Sequence, residues 1–579
     1  MKNLIKYLKP YMKESILSPF FKLLEVVFDL MVPVVVAKMI DTGVAQQDYT
    51  FIFRCAAILL AMALLGLLCS VTAQFFAARA SAGFGASLRQ TMFDHIQKFS
   101  FSMLDRAGSD TLITRINDDV NQVQNGVNMC LRLILRSPFI VFGATAVAFT
   151  VNVKCAVIFA VTVPVLFAVI FGIMLASIPL FKKVQEKLDR ITELTRENLT
   201  GVRVIRAFGR EKYAVGEFED SNRELTRLNE FVGKISAVLN PLTYAMINIA
   251  AVILIDKAAI EVNLGNLQQG ETVALYNYMM QIIVELIKLA ALIITLNKSV
   301  ACAGRISEVL DMKPDMEYPE ADTVSYEAGN PAVEFADVTF SYENAAAPSL
   351  KNISFAVESG QTAGIIGGTG SGKTTLVNLI ARFYDATEGK VLIDGTDIKN
   401  YSKETLEKRC GIVQQKTVLF KGSIRDNLRW GNEKADDEKL WKALETAQAK
   451  DVAAGKPGQL DFELERGGGN LSGGQRQRIS IARTLVKEPE ILIFDDSFSA
   501  LDFATEAALR KALHNMERQA AVFIVSQRIS AIRNSDIIIV LDNGVMAGKG
   551  SHEELMKTCE TYREIYYSQF PEEGVQNEQ

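Results

Sequence analysis

Long apolar segments in the first half of the chain most constrain what it can fold into. Crossing the hydrocarbon core of a bilayer takes about 20 mostly apolar residues in a helix, since a helix satisfies its own backbone hydrogen bonds. The sequence therefore predicts an α-helical transmembrane domain with six spans within residues 1–310. The candidate spans are residues 15–40, 51–78, 128–150, 153–178, 233–257 and 273–298.

The charges of the connections between these spans predict their orientation. The short connections at residues 41–50 and 261–271 contain no lysine or arginine, whereas the two long connections are rich in both. Because cytoplasmic loops carry the excess of lysine and arginine, the long connections, both termini and everything after residue 300 are expected in the cytoplasm. Helical spacing extends into the long connections, which are predicted to reverse near residues 108–120 and 199–211 and could touch a cytoplasmic domain.

The chain begins with MKNLIKYLKPYMKE, in which lysines alternate with apolar residues. No apolar core with a small-residue cleavage site follows, so this segment is not predicted to be a signal peptide. Basic amphipathic helices bind membrane surfaces. We therefore predict a short helix on the membrane surface, with a solvated amphipathic turn as the alternative.

Several charged residues interrupt the predicted spans. Spacing places Glu25 and Asp29 on one helix face, and Glu285 and Lys288 on another. Charges in lipid are costly and usually face a wet cavity or a charged partner. A polar translocation pathway and structural pairing between helices are therefore equally open interpretations. Charged residues inside the spans include Lys22, Glu25, Asp29, Glu285 and Lys288, while Asp256 and Lys257 are expected to mark the outer end of span five.

The remaining composition limits the partners and defines a second domain. The formal net charge is −5, so nucleic acid is not expected as a partner, since phosphate binding needs a basic face. The seven cysteines show no metal-ligand spacing and are predicted to be free thiols. After a linker predicted at residues 311–331, short apolar runs alternate with amphipathic helices, which predicts an α/β domain at 332–570 and an acidic tail at 571–579.

A phosphate-binding motif lies in the segment TAGIIGGTGSGKTTLVNLI, residues 362–380. It has the order strand, glycine loop, helix, and it matches G-x-x-x-x-G-K-[ST]. Glycines let backbone N–H groups close around phosphate oxygens, the lysine neutralises the β and γ phosphates, and the threonine binds Mg²⁺. The sequence therefore predicts ATP and Mg²⁺ as cofactors. The expected nucleotide contacts here are Gly367, Gly368, Thr369, Gly370, Ser371, Gly372, Lys373, Thr374 and Thr375.

Three further segments have the pattern of a nucleotide-binding domain. Ser472 in NLSGGQRQRISIARTLV is a predicted N-cap, and two glycines after it permit close backbone approach. The buried strand ILIFD ends at Asp495, and ligands of parallel sheets bind at such carboxyl ends. A second apolar strand, AVFIVSQ, ends at Gln527, and IIIVLDNGVMAG is predicted to be a hairpin.

With six spans, a Walker A loop, LSGGQ, a Walker B strand and SALD in this order, the chain resembles a half-transporter of the ATP-binding cassette (ABC) exporter family. TLITR at the first cytoplasmic turn is similar to a family motif too. The resemblance covers nearly the whole chain and is greatest to one subunit of the bacterial heterodimeric multidrug exporters. It implies a bacterial cell-membrane protein in which two cassettes enclose two ATP molecules between Walker A of one subunit and LSGGQ of the other.

The resemblance also implies roles for particular residues. Tyr342 matches the aromatic residue that stacks on adenine, and Glu465 and Arg466 match the segment that contacts the transmembrane arms. Gln414 stands where proline is common, which is a mild departure. The residues implied to bind nucleotide from the remaining motifs are Gln415, Ser472, Gly473, Gly474, Gln475 and Asp502, and those implied to bind Mg²⁺ are Thr374, Gln415 and Asp495.

Two catalytic positions depart from that family together. Glutamate normally follows the Walker B aspartate and histidine normally follows the next strand, but this chain has Asp496 and Gln527. Aspartate is one carbon shorter, and a misplacement of about 1 Å can cost about 10²-fold in rate. The only histidines, His95, His514 and His552, lie elsewhere in the sequence. We predict intact ATP binding with slow hydrolysis; the alternative is that a modest loop movement lets Asp496 reach the attacking water.

These departures predict the functional class. Two identical copies would have two impaired sites, so the chain is expected to pair with a different half-transporter that has Glu and His at these positions. The predicted function is export of amphipathic compounds, drugs or lipids, by an ATP-hydrolysing translocase in contact with membrane lipids. The alternative is an ATP-binding membrane regulator or scaffold with little turnover.

Overall fold

The computed structural model describes residues 2–323, 329–343, 345–516 and 520–570, so the predicted acidic tail lies outside the described residues. The chain divides into two compact units. We call Met1–Gln97 with Asp110–Lys313 the helical unit, and Lys98–Ser109 with Pro314–Gln579 the α/β unit. The domain boundaries expected from the sequence remain a prediction, although the last long helix ends at Asp311 and the first strand begins at Val333.

Long helices form almost all of the helical unit, since the sequence there is apolar with helical spacing. A 3₁₀ helix at Lys2–Tyr11 precedes them. The helices in chain order are α1 (Met12–Lys38), α2 (Tyr49–Ile96), α3 (Phe101–Ala107, in the α/β unit), α4 (Ser109–Thr114), α5 (Val120–Leu133), α6 (Arg136–Val151), α7 (Val153–Thr200), α8 (Val202–Ala207), α9 (Glu211–Asn263) and α10 (Gln269–Asp311).

Five helical segments of the described chain are long and apolar enough to cross a membrane: Tyr49–Ile96, Ser109–Val151, Val153–Thr200, Glu211–Asn263 and Gln269–Asp311. Helix α1 is 27 residues long, which is about 40 Å at 1.5 Å per residue. It is not among the five because Lys22, Glu25 and Asp29 lie near its middle. Five of the six predicted spans thus correspond to long apolar helices. The first predicted span corresponds to α1, a helix that contains charged residues.

Three local features differ from the sequence-based expectations. The third predicted span is divided, since α5 ends at Leu133 and α6 begins at Arg136. The first reversal lies upstream of residues 108–120, because Ser100 caps α3 by accepting a hydrogen bond from the Met103 N–H, and Gly108, at φ +72°, follows its end. Helix α9 continues past Asp256 and Lys257, whose position at a membrane boundary remains a prediction. The second reversal, around α8, falls where it was expected.

The charged residues of the predicted spans pair with one another around Arg136, at the start of α6. Its guanidinium contacts Glu25, and lies 3.2 Å from Asp29 and 3.5 Å from Glu285. Lys22 lies 2.6 Å from Glu25, and Lys288 lies 2.8 Å from Glu285. We call Lys22, Glu25, Asp29, Arg136, Glu285 and Lys288 the charge cluster. This geometry favours structural pairing between α1, α6 and α10 over an open polar pathway.

Strands and short helices alternate in the α/β unit, as predicted. The strands are β1 (Val333–Phe340), β2 (Leu350–Val357), β3 (Thr362–Gly367), β4 (Glu388–Ile393), β5 (Thr396–Asp397), β6 (Cys410–Val413), β7 (Gly422–Ser423), β8 (Glu463–Leu464), β9 (Ile491–Asp495), β10 (Ala521–Val525), β11 (Ile537–Asp542) and β12 (Val545–Gly550). The helices are α11 (Lys373–Ile380), α12 (Lys403–Arg409), α13 (Ile424–Arg429), α14 (Asp437–Thr446), α15 (Lys450–Ala454), α16 (Gly473–Val486), α17 (Phe503–His514), α18 (Ile529–Ile532), α19 (His552–Thr558) and α20 (Glu560–Gln569).

The central sheet has the order β12-β11-β3-β10-β9-β6, and all neighbours are parallel except β11 and β12. All residues of β9 and β10 are buried, which explains why these segments are continuous apolar runs. A second sheet has the order β2-β1-β4-β5, and β7 pairs with β8. The parallel strands β3, β9 and β10 therefore end at the same edge, which brings the loops after them together. The seven cysteines are free, as predicted.

Candidate functional site

The loop between β3 and α11 requires glycine at both of its ends. Gly372 caps α11 at φ +97°, and a Cβ atom there would lie 2.8 Å from the Ser349 carbonyl oxygen. A Cβ atom on Gly367 would overlap the Leu541 carbonyl oxygen of the neighbouring strand. A left-handed φ and close backbone approach both exclude larger residues. The loop thus brings its backbone N–H groups to the N-terminus of α11, which is an anion-binding geometry.

Lys373 and Thr374 follow this loop in the first turn of α11. The Lys373 ammonium donates to the carbonyl oxygens of Gly367 at 2.9 Å and Gly368 at 2.6 Å. The Thr374 hydroxyl donates to Asp495 at 3.0 Å. The predicted lysine, threonine and Walker B aspartate therefore lie together at the carboxyl edge of the sheet.

Asp496 has a left-handed backbone, with φ +46°, directly after β9. Its N–H donates to the Val525 carbonyl at 3.0 Å, which fixes it beside the end of β10. Its carboxylate accepts a hydrogen bond of 3.3 Å from the Gln415 side chain. Aspartate occurs in this backbone region more often than most residues do, so it fits the position well.

One cavity of about 560 Å³ joins these residues. Tyr342 lies at this cavity and its hydroxyl is 3.0 Å from that of Thr375, so an aromatic ring is available beside the loop. Gln527 lines the cavity as well, and none of the three histidines is among the described residues that line it. The sequence-predicted residues at the cavity are Tyr342, Thr369, Gly370, Gly372, Lys373, Thr374, Thr375, Gln415, Asp495, Asp496 and Gln527.

The LSGGQ segment does not line that cavity. Ser472 caps α16: its hydroxyl accepts from the Gln475 N–H at 3.3 Å, and its own N–H donates to the Gln475 side chain at 3.0 Å. Asp502 caps α17 and accepts from the Thr505 N–H at 2.9 Å. Ser472, Gly473 and Asp502 are exposed. The nucleotide-binding roles of these residues, and the contacts of Glu465 and Arg466 with the transmembrane arms, remain predictions.

Several residues at the cavity were not predicted from the sequence. Asn543 and Gly544 form the turn of the predicted β11–β12 hairpin, with φ +47° and +81°, and the Gly544 N–H donates to the Ser371 carbonyl at 3.2 Å. The hairpin could be predicted, but its place beside the loop depends on β11 pairing with β3, which periodicity does not reveal. The other missed lining residues are Pro348, Ser349, Val525 and Ser526.

Burial sets the electrostatics of this site. It raises the pKa of Asp495 and of Asp496, and it lowers the pKa of Lys373. The nearby Asp496 carboxylate raises the pKa of Asp495 further, whereas the Gln415 hydrogen bond lowers that of Asp496. Each charged form is therefore costly here until an opposite charge or a hydrogen bond compensates it.

The donor set at this edge fits Mg²⁺ bound together with phosphate. Thr374, Gln415 and Asp495 offer a hydroxyl, an amide and a carboxylate oxygen, which are hard ligands. No group of three or more His, Cys, Asp or Glu that could hold a metal occurs in the described part of the chain. Mg²⁺ is usually bound by one or two side chains together with water and phosphate oxygens.

The segment Lys98–Ser109 packs on this same α/β unit. The Phe101 ring stacks on Phe383 with centroids 4.2 Å apart, and the Tyr384 hydroxyl donates to Asp105 at 2.6 Å. Tyr384 also meets the Tyr342 ring edge to face, at 5.3 Å. The segment Lys98–Ser109 thus contacts the aromatic residues next to the cavity.

Long apolar helices followed by a P-loop α/β unit with a capped LSGGQ helix define a nucleotide-binding membrane protein. Residues 15–286 match the ABC transporter transmembrane region family, and residues 350–499 match the ABC transporter family. An uncharacterized ABC transporter ATP-binding protein of Mycobacterium tuberculosis is 36% identical over 567 residues, which is 97% of each chain. The chain belongs to the ABC transporter family and carries both the membrane region and the ATPase-type domain.

Two further comparisons describe its relatives. An ATP-dependent lipid A-core flippase of Desulfotalea psychrophila is 33% identical over 492 residues, covering 83% of this chain and 84% of the flippase. The structure of a bacterial Atm1-family ABC exporter with ATP bound superposes with a TM-score of 0.79 at 24% identity, covering 97% of this chain and 98% of that one. At that identity the superposition establishes the exporter fold.

Proposed function

We propose that this chain is one subunit of a heterodimeric ABC exporter and that its own ATP site hydrolyses slowly. The observation that carries the proposal is the pair Asp496 and Gln527, which line a cavity whose phosphate-binding loop is complete. The Asp496 carboxylate accepts a hydrogen bond from Gln415 and its N–H donates to Val525, and aspartate is one carbon shorter than the glutamate expected at this position. A positioned general base contributes roughly 10²–10⁴-fold.

An unlike partner follows from the same two positions. The exposed Ser472 and its capped helix leave the LSGGQ segment accessible to a second cassette. A partner with Glu and His at the corresponding positions would bind ATP on its own Walker motifs and complete that site with Ser472–Gln475 of this chain. One fast site and one slow site would result.

The proposed topology has six spans, with both termini and the α/β unit in the cytoplasm of a bacterial cell. Helix α1 is the span that apolarity alone does not support. Arg136 of α6 pairs with its acidic residues, which lowers the cost of placing them in lipid. We propose an amphipathic substrate, a drug or a lipid; the similarity to a lipid A-core flippase supports the lipid.

ATP turnover tests the proposal. The tagged chain is purified alone and together with a co-expressed half-transporter encoded by the neighbouring gene. The rate of ATP hydrolysis per nucleotide-binding domain is then compared between the two preparations. We expect the pair to be faster by about 10²-fold or more. Comparable rates would contradict the heterodimer, and a pair without vanadate-sensitive transport in vesicles would favour a regulator or scaffold.

The double substitution Asp496→Glu with Gln527→His tests the slow site within that pair. Turnover should rise, because the longer carboxylate and the imidazole restore a positioned base. Asp495→Glu is the matched control, since it makes the same extension one residue earlier and should not raise turnover. Thermal denaturation checks that glutamate is tolerated at φ +46°. Unchanged turnover in a stable double variant would show that these positions do not limit hydrolysis.

A further inference from the structure

The loop from Ser526 to Arg528 connects β10 to α18 at the edge of the cavity. The Ser526 N–H donates to the Ile365 carbonyl at 3.1 Å, which ties the start of the loop to the central sheet. The Arg528 N–H donates to the Ser526 hydroxyl at 3.0 Å. Gln527, between them, lines the cavity.

Gln569, the last residue of α20, bonds to the backbone of this loop although it lies far from it in sequence. Its amide NH₂ group donates to the Gln527 carbonyl at 2.7 Å, and its amide oxygen accepts from the Ile529 N–H at 2.9 Å. A single carboxamide thus makes two hydrogen bonds to the backbone on both sides of Arg528. The 42-residue separation in sequence means that the C-terminal helix sets the path of this loop.

Helix α20 and the start of α18, which this contact joins, are both anchored in the hydrophobic core. Tyr562 and Tyr566 of α20 are buried in the hydrophobic core, and Ile529 is fully buried at the start of α18. The Arg528 side chain donates to the Ser499 carbonyl at 3.3 Å and lies 4.0 Å from Glu506. The loop is therefore attached to three elements, and its residues Ser526 and Gln527 line the cavity.

We propose that Gln569 is a positioning residue for the nucleotide site. By fixing the backbone at Gln527 and Ile529, it directs the Gln527 carboxamide toward the place of the terminal phosphate of ATP. This inference rests on the proposed function, in which Gln527 occupies the switch position. The consequence is a preference for ATP over ADP, because only ATP has the phosphate that Gln527 reaches.

Nucleotide affinity measures this role without requiring hydrolysis. Dissociation constants for Mg-ADP and Mg-ATPγS are determined for the purified full-length chain in nanodiscs. Gln569→Leu removes both hydrogen bonds and should lower the preference for ATPγS about 3–10-fold, part of the 10–100-fold that one hydrogen bond to a charged group is worth. The constant for ADP should stay within about two-fold, whereas a merely structural defect would weaken both nucleotides alike.

Two further variants sharpen the test. Gln569→Glu keeps the acceptor for Ile529 but sets a carboxylate oxygen against the Gln527 carbonyl oxygen in place of the donor, so its preference should also fall. Ser568→Ala is the matched control, since the Ser568 hydroxyl bonds only within α20, to the Ile565 carbonyl, among the described contacts. In a Gln527→Ala chain, Gln569→Leu should change the preference no further, because the side chain that it positions is gone.

The outcomes are distinct. An unchanged preference in a folded Gln569→Leu chain would overturn the inference, and so would an equal loss in the presence and absence of the Gln527 side chain. A wild-type chain that binds neither nucleotide would refute the proposed ATP site itself. If Gln569→Leu is too unstable to purify, the Gln569→Glu result decides, since an unchanged preference there is also a negative outcome.

Discussion

Two groups of charged residues, one in each unit of this protein, are compensated to different extents. In the helical unit, the charge cluster contains three basic and three acidic side chains, and each member contacts an opposite charge. In the α/β unit, Asp495 and Asp496 lie side by side, with Lys373 bonded to loop carbonyl oxygens. Burial raises the pKa of both carboxyl groups and lowers that of the lysine.

The difference indicates two uses of charge. In the charge cluster the side chains satisfy one another, so the cluster holds α1, α6 and α10 together. At the nucleotide site the charges are only partly compensated, which keeps them ready for phosphate and Mg²⁺ at a cost to the stability of the ligand-free chain. Substitutions should therefore damage folding in the first region and ligand binding in the second.

The largest effect is expected from Arg136→Met. Arg136 contacts Glu25, Asp29 and Glu285, and removing one partner of a buried ion pair costs about 3–5 kcal/mol. We expect a large loss of monodisperse protein and a much lower melting temperature in nanodiscs.

Arg132→Met is the matched control, four residues earlier in α5, where the guanidinium Nε has no hydrogen-bond partner among the described residues. Adding Asp29→Asn to Arg136→Met should recover part of the stability, because Arg136 is the ion-pair partner of Asp29 among the described residues, whereas Glu25 and Glu285 keep Lys22 and Lys288. Equal losses for the two arginine variants would mean that the charge cluster does not hold the helices together.

Lys373→Ala should have a smaller effect, on binding rather than on folding. A hydrogen bond to a charged group contributes about 1.5–3 kcal/mol, so affinity for ATP should fall about 10–100-fold. The melting temperature without nucleotide should change little, since burial of the lysine charge is itself costly. Titration of a fluorescent ATP analogue measures the first quantity. A severe loss of stability without nucleotide would erase the distinction between the two regions.

Local sequence signals predicted most of the α/β unit. The glycine loop, the Ser472 cap and the buried strand before Asp495 were correctly located, since each depends on residues close in sequence. The hairpin at Asn543 and Gly544 was predicted too. Its place at the cavity was not, because strand order depends on contacts between distant segments.

Long-range pairing also explains what was missed in the helical unit. The sequence showed Glu25, Asp29, Glu285 and Lys288 as charges in apolar spans, and left open whether they pair or line a pathway. Arg136 lies inside the predicted span 128–150 but was not singled out with these charges, and the structure begins α6 at this residue. Its three partners are more than 100 residues away in sequence. No local pattern relates them.

The smallest effect tests whether the nucleotide site is costly to the ligand-free fold. Burial raises the pKa of Asp495, so the folded chain binds this proton more tightly than the unfolded chain, and stability falls as pH rises above the ordinary value of 3.8. Asp495→Asn should therefore raise the melting temperature at pH 7 in EDTA. The expected gain in the free energy of unfolding is about 0.5–2 kcal/mol at pH 7 and smaller at pH 4. Asp502→Asn is the control of opposite sign, since a hydrogen bond from Thr505 lowers the pKa of Asp502. If Asp495→Asn is no more stable than wild type at pH 7, the carboxylate is already compensated as fully as those around Arg136.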